Sequence, residues 1–173
     1  MYSRRMTRLS RFLLAPLLIT LLLVLAAPGC TGDSPTAPPL PEGDVTPVEL
    51  YSAVNSGLIE SERRVVRQQS EYEKLWDDIF SDGSTPADMP VVDFNQTIVL
   101  AVASGEQPEI CYAIAITQVT SDGSDLTVTV TETGPPTGCG CDPTMAQPVD
   151  VVAVPRADQV SFRDATRTAC PDQ

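Results

Sequence analysis

The chain has 173 residues, with 23 Asp and Glu against 11 Lys and Arg, no histidine, 16 prolines and five cysteines. That length bounds it to one domain with appendages. A net charge of -12 and a single lysine, Lys74, set aside nucleic acid, whose phosphates are held by clustered cations; the missing histidine excludes Ser-His-Asp and Cys-His mechanisms, HExxH zinc sites and a histidine pH switch.

Residues 1–11 hold four arginines and no acid, residues 12–27 are uncharged and mostly leucine, and Ala26-Ala27-Pro28-Gly29-Cys30 follows. This is the plan of an export signal over 1–29. The small residue before Cys30 resembles the lipobox of bacterial lipoproteins, which implies cleavage, a lipid on Cys30 and a place in the cell envelope outside the cytoplasm. An uncleaved span fits less well, since sixteen residues of helix reach roughly 24 Å against a hydrocarbon core of about 30 Å. Thr31 is not the Asp that retains some lipoproteins at an inner membrane, which points to the outer membrane in a host with two. Cleavage leaves 11 - 4 = 7 basic and 23 acidic residues, a balance of 7 - 23 = -16, suited to a body held off anionic headgroups. Residues 30–47 carry five prolines among small and polar residues and read as a semi-extended tether.

Residues 48–173 are expected to fold. The segment 64–68 reads as a strand. Ser70 and Glu73 have capping-box spacing at the start of a helix. Tyr72, Leu75, Trp76, Ile79 and Phe80 then form one apolar stripe and are the expected core anchors, opposite Glu71, Glu73, Lys74, Asp77 and Asp78. Residues 97–103 are a continuous apolar run of central-strand type. Strands at 111–119 and 126–132 flank Asp122-Gly123, a hairpin signal, with Leu126, Val128 and Val130 alternating with threonines. Further strands are expected at 149–154 and 160–162. The sum is α+β, a mostly antiparallel sheet packed against one principal amphipathic helix.

Four cysteines follow Cys30: Cys111, Cys139, Cys141 and Cys170, an even number that in an exported chain implies two disulfides. A bridge between Cys139 and Cys141 is disfavoured by geometry. The hairpin register puts Cys111 opposite about residue 135, beside the loop with Cys139 and Cys141; one of these should take Cys111 and the other Cys170. A four-thiolate zinc site has the right count, but CxC lacks the usual two-to-four-residue loop. Glu106 with Glu109, or Asp93 with Asp150, could pair as a carboxylate dyad, yet 23 acids make coincidental pairs common. With no glycine-rich phosphate loop and no activated nucleophile, the chain reads as non-enzymatic, without cofactor or metal.

Arg63-Arg64-Val65-Val66-Arg67, residues 70–76, Val92-Asp93-Phe94, residues 98–102, Gly105, Pro108, Tyr112, Ile114 and residues 148–155 together resemble the PrcB C-terminal domain family. That family is named after an accessory lipoprotein subunit of a spirochaete surface protease complex, and the likeness covers about 62–160. It implies a non-catalytic domain that partners or stabilises a protease. In the family the loop at Pro108 commonly reads PTGGY, similar to the threonine-glycine wedge of chagasin-type inhibitors. Here it is Pro108-Glu109-Ile110-Cys111-Tyr112, so Glu-Ile-Cys replaces the flexible part.

The resulting expectation is a lipid-anchored, protein-binding accessory subunit. Gly105, Glu106, Pro108, Glu109, Tyr112, Pro135 and Pro136 are the candidate partner-binding residues, on loops at one end of the sheet. A protease inhibitor acting through the same loops and a small-molecule or metal-binding envelope module are the alternatives.

Overall fold

The computed structural model describes residues 40–170. Its elements are β1 (Gly43–Asp44), β2 (Val48–Ala53), β3 (Ser61–Val66), α1 (Gln69–Ile79), β4 (Thr97–Ser104), β5 (Ala113–Ser121), β6 (Leu126–Gly134), β7 (Val149–Pro155) and β8 (Val160–Thr168). The strands are mostly antiparallel and the class is compatible with α+β. They form two four-stranded sheets, β1-β5-β6-β8 and β2-β7-β4-β3, where one was expected.

The second sheet follows from β4 and β7. Ile98, Leu100 and Val102 of β4, with Val152 and Val154 of β7, share a core with Ile114, Ile116 and Val119 of β5 and Leu126, Val128 and Val130 of β6. Val99, Ala101, Ala103, Val149 and Val151 enter another core with the helix. Side chains alternate across a strand, so a strand with a core on each face reads as unbroken apolar sequence. The layers are therefore sheet, sheet and helix.

The helix buries Tyr72, Leu75, Trp76 and Ile79. Phe80, expected beside them, is the half-buried C-cap, its ring 5.4 Å from those of Tyr51 and Trp76. The Trp76 indole N–H donates to the Ala87 carbonyl at 3.0 Å, so its polar edge is satisfied. The N-cap is Gln68, not Ser70, and makes no side-chain cap. Glu71 instead reaches back from the first turn and accepts from the Arg67 amide at 2.9 Å and Gln68 Nε2 at 3.0 Å, placing negative charge where the helix dipole favours it. Arg64 fastens β3 to the helix, donating to Asp78 at 2.7 Å and to Glu62 at 2.8 Å. Burial pushes the Asp78 carboxyl up, but Lys74 and Arg64 outweigh it and hold its pKa below the ordinary value.

The hairpin forms as the Asp-Gly signal requires, from Ser121 opposite Leu126 to Ala113 opposite Thr133. Gly123 adopts φ +105, and Asp122 Oδ1 accepts from the Asp125 amide at 3.1 Å. Three features differ from expectation. β8 runs to Thr168 rather than Phe162 and lies parallel to β6; its crossover is β7, in the opposite sheet. β2 had no sequence signal. Gly43–Asp44, within the expected tether, pairs with β5, and the Leu40 amide donates to the Gly123 carbonyl at 2.8 Å. The signal segment and Cys30 lie outside the described residues. No described helix is long and apolar enough to cross a membrane.

Two polar fastenings join the sheets. Arg63 of β3 donates to the Ala103 carbonyl at 2.9 Å and reaches Glu132 of β6 at 2.9 Å and Asp164 of β8 at 2.8 Å. Asp150 of β7, 5% exposed, is the only charged residue among the buried described residues. The β5–β6 register shifts between Ile116 and Gln118, and there the Ile116 amide donates across the sandwich to Asp150 Oδ2 at 2.7 Å. Burial pushes the Asp150 carboxyl up, the Ile116 bond works against that, and Glu49 adds to the rise.

A raised folded-state pKa means that this group's stabilising contribution is complete below the unfolded value and lost as pH rises through the folded one. Asp150→Asn keeps an acceptor without the charge, so its stability relative to the parent chain is expected to improve from pH 4 to pH 7 in urea titrations. Asp150→Ala orphans the Ile116 amide and is expected to cost about 1–3 kcal/mol at pH 4, and less at pH 7.

Candidate interaction site at the stapled end

Strands β2 and β4 end, and β3 and β7 begin, at one end of their sheet, as the pairings Ala53 with Val149, Ser61 with Ser104 and Ala103 with Val149 require. Ala113 opposite Thr133 and Gly134 beside Thr168 mark the same end of the other sheet. Three loops meet there: 54–60, 105–112 and 135–148.

Backbone bonds stitch them together. The Gln147 amide donates to the Val54 carbonyl at 3.0 Å and the Glu106 amide to the Ile59 carbonyl at 3.1 Å. Gln107 and Ala146 exchange bonds at 2.7 and 3.0 Å, and the Ile110 amide reaches the Asp142 carbonyl at 3.4 Å. Ser56 Oγ donates to the Gln147 carbonyl at 2.9 Å. Two disulfides complete the staple, Cys111 to Cys141 with Cα atoms 5.9 Å apart and Cys139 to Cys170 at 5.8 Å. The pairing resolves the choice the sequence left open, and with all four sulfurs bonded the four-thiolate zinc set has no free ligand.

The candidate residues have different placements. Glu106 and Pro108 are exposed, while Glu109, Tyr112, Pro135 and Pro136 are half-buried. Tyr112 lies against Gly134, where a Cβ would sit 3.1 Å from the ring. Gly105 is buried with φ +71, and a Cβ there would lie 2.7 Å from the Ser61 nitrogen. It allows the loop to pass close to the β2–β3 connection. Asp93 and Asp150 do not meet: Asp93 accepts from the Asn95 amide in the exposed loop before β4, whereas Asp150 pairs with Val102, about 17 Å further along that strand.

The stitched loops also expose apolar side chains that periodicity did not flag. Val54 is 45% exposed, Ile59 63% and Met145 50%, with Ile110 at 40%. The loops carry Glu60, Glu106, Glu109 and Asp142 and no Lys or Arg. None of these four acids takes part in an ion pair among the described residues.

Fold and site define a small, disulfide-stapled two-sheet domain whose distinctive surface is a stitched loop end. Residues 98–155 match the family model described as PrcB C-terminal, the family that the sequence pattern resembles; the match runs from β4 through β7 and includes two of the three loops. No curated protein and no solved structure matches the chain.

Gly105→Ala is expected to destabilise the fold by about 1–3 kcal/mol in urea titrations, the usual cost of forcing a side chain into a left-handed position. Replacing Cys139 and Cys170 by serine opens a closure of 31 residues and is expected to cost about 2–4 kcal/mol by the same measurement.

Proposed function

We propose that the protein is a non-enzymatic, lipid-anchored protein of the bacterial cell envelope, whose stapled loop end binds and supports a partner, a protease or another subunit of its complex. The family match over 98–155 carries this reading, because the matched segment contains the loops 105–112 and 135–148. The geometry suits a tethered binder. The chain joins the fold at Leu40, beside the β5–β6 turn and so at the end opposite the loops. Ten residues lead from Cys30 to Leu40, a reach of at most about 36 Å when fully extended. The nine-residue β5 alone is about 30 Å long, so the point where the tether joins the fold lies about that far from the loop end, and a lipid on Cys30 leaves those loops free to meet a partner. Tethering also raises the effective concentration near other envelope proteins, which makes a modest interface sufficient.

Photo-crosslinking in native cells tests this, with the reactive group at Ile110 in one strain and at Gln118, on the exposed part of β5, in another. Repeated recovery of one protease-complex protein from the Ile110 strain is expected. Failure to recover any reproducible partner from correctly anchored, folded protein would overturn the reading.

A further inference from the structure

The loop end combines two properties that the rest of the described surface does not bring together. Of the six large hydrophobic side chains exposed among the described residues, four lie on its three stitched loops: Val54, Ile59, Ile110 and Met145. The other two, Val48 and Val91, line a groove beside β2. The loops also hold four acids that take part in no ion pair among the described residues and no cation of their own, Arg167 of β8 being a basic residue on a strand that ends nearby. Apolar area covered by a partner supplies binding energy, while rim charges select which partner may approach.

We infer that this end binds a basic protein segment, one with an aliphatic or aromatic centre flanked by lysine or arginine. Val54, Ile59, Ile110 and Met145 cover the centre, and Glu60, Glu106, Glu109 and Asp142 supply the matching negative charge. A pocket of about 310 Å³ beside Ile59, lined also by Leu58, Glu60, Glu62 and Asp78, suits the stem and head of one long basic side chain. Arg64 is already held there by Glu62 and Asp78, which leaves Glu60 for the incoming cation. A second copy of this chain would set acid against acid, and an anionic lipid surface would do the same. The inference rests on the proposed binding role of this end and adds the chemistry of what is bound.

The probe is a fluorescent twelve-residue peptide in which leucine and phenylalanine alternate with lysine, titrated against the full-length chain in nanodiscs of zwitterionic lipid. Its two controls replace every lysine by glutamate or every apolar residue by serine. The basic apolar peptide is expected to bind and both controls to bind at least about tenfold more weakly. Raising salt from about 50 to about 500 mM is expected to weaken binding several-fold. Ile59→Ser with Met145→Ser should raise Kd about tenfold, and Glu106→Gln with Asp142→Asn about threefold, with unchanged far-ultraviolet circular dichroism. Equal binding of the acidic peptide, indifference to both variant pairs, or no binding of the basic peptide would overturn the inference. Preferential binding of the loop end to anionic vesicles or to a second copy would do so as well. A protease captured through Ile110 together with no preference for the basic peptide would sink this inference while leaving the proposed role of the loop end standing, so the two readings fail separately.

Discussion

Two strands, β4 and β7, each lie between two cores, and the remaining elements depend on that pair. An eleven-residue helix is too short to persist alone in water, so α1 exists because Val99, Ala101, Val149 and Val151 give its apolar stripe a surface. The β5–β6 hairpin is equally dependent, since its Leu126, Val128 and Val130 face Ile98, Leu100 and Val152 across the sandwich. The same pair fixes the site: β4 delivers the chain into the loop at Gly105, and β7 receives it after Pro148. Between them the Ser104 amide donates to the Pro148 carbonyl at 3.1 Å, which continues the ladder into the loops.

Apolar contact between sheets is not directional and would tolerate sliding, so alignment must come from elsewhere. Asp150 and Arg63 supply it. The break in the hairpin register frees the Ile116 amide, and a carboxylate on the inner face of β7 meets it. Arg63 spans the opposite sheet edge, from the Ala103 carbonyl to Glu132 and Asp164. Each fastening joins a strand of one sheet to a strand of the other. Slippage by one residue would leave a buried carboxylate and a buried amide without partners, a larger loss than such bonds gain when made.

What was legible in the sequence is what a single face or a local turn can encode. The helix stripe, the β4 run and the Asp-Gly hairpin were read from neighbouring residues, and the register of that hairpin was enough to bring Cys111 to the loop of Cys139 and Cys141. What was missed needed information from far along the chain. The β4 run states that both faces are covered without saying by what, so a second sheet was not deduced. β8 shows few apolar signals beyond Phe162 because it is a sheet edge with mostly exposed residues, held by pairing to β6. Ser70 had a capping pattern, but Glu71 found the Arg67 amide first and the helix began earlier. Val54 and Ile59 in one loop, and Ile110 and Met145 in the two others, stand singly where no period marks them; only the stitching of those loops brings them to one end of the fold.

The loop that keeps only Pro108 and Tyr112 of the PTGGY pattern it resembles is also one of the most constrained here. A Thr-Gly-Gly wedge works by being small and free to adapt inside a cleft. In this chain Cys111 is bonded to Cys141, the Ile110 amide is bonded to Asp142, and Gln107 is paired with Ala146. A segment held at three points from a neighbouring loop cannot extend away from the body of the domain. What it can do is keep a shape, and a surface ordered in advance loses little conformational entropy when a partner covers it. The bonds that hold it therefore favour contact across a face over insertion of a finger.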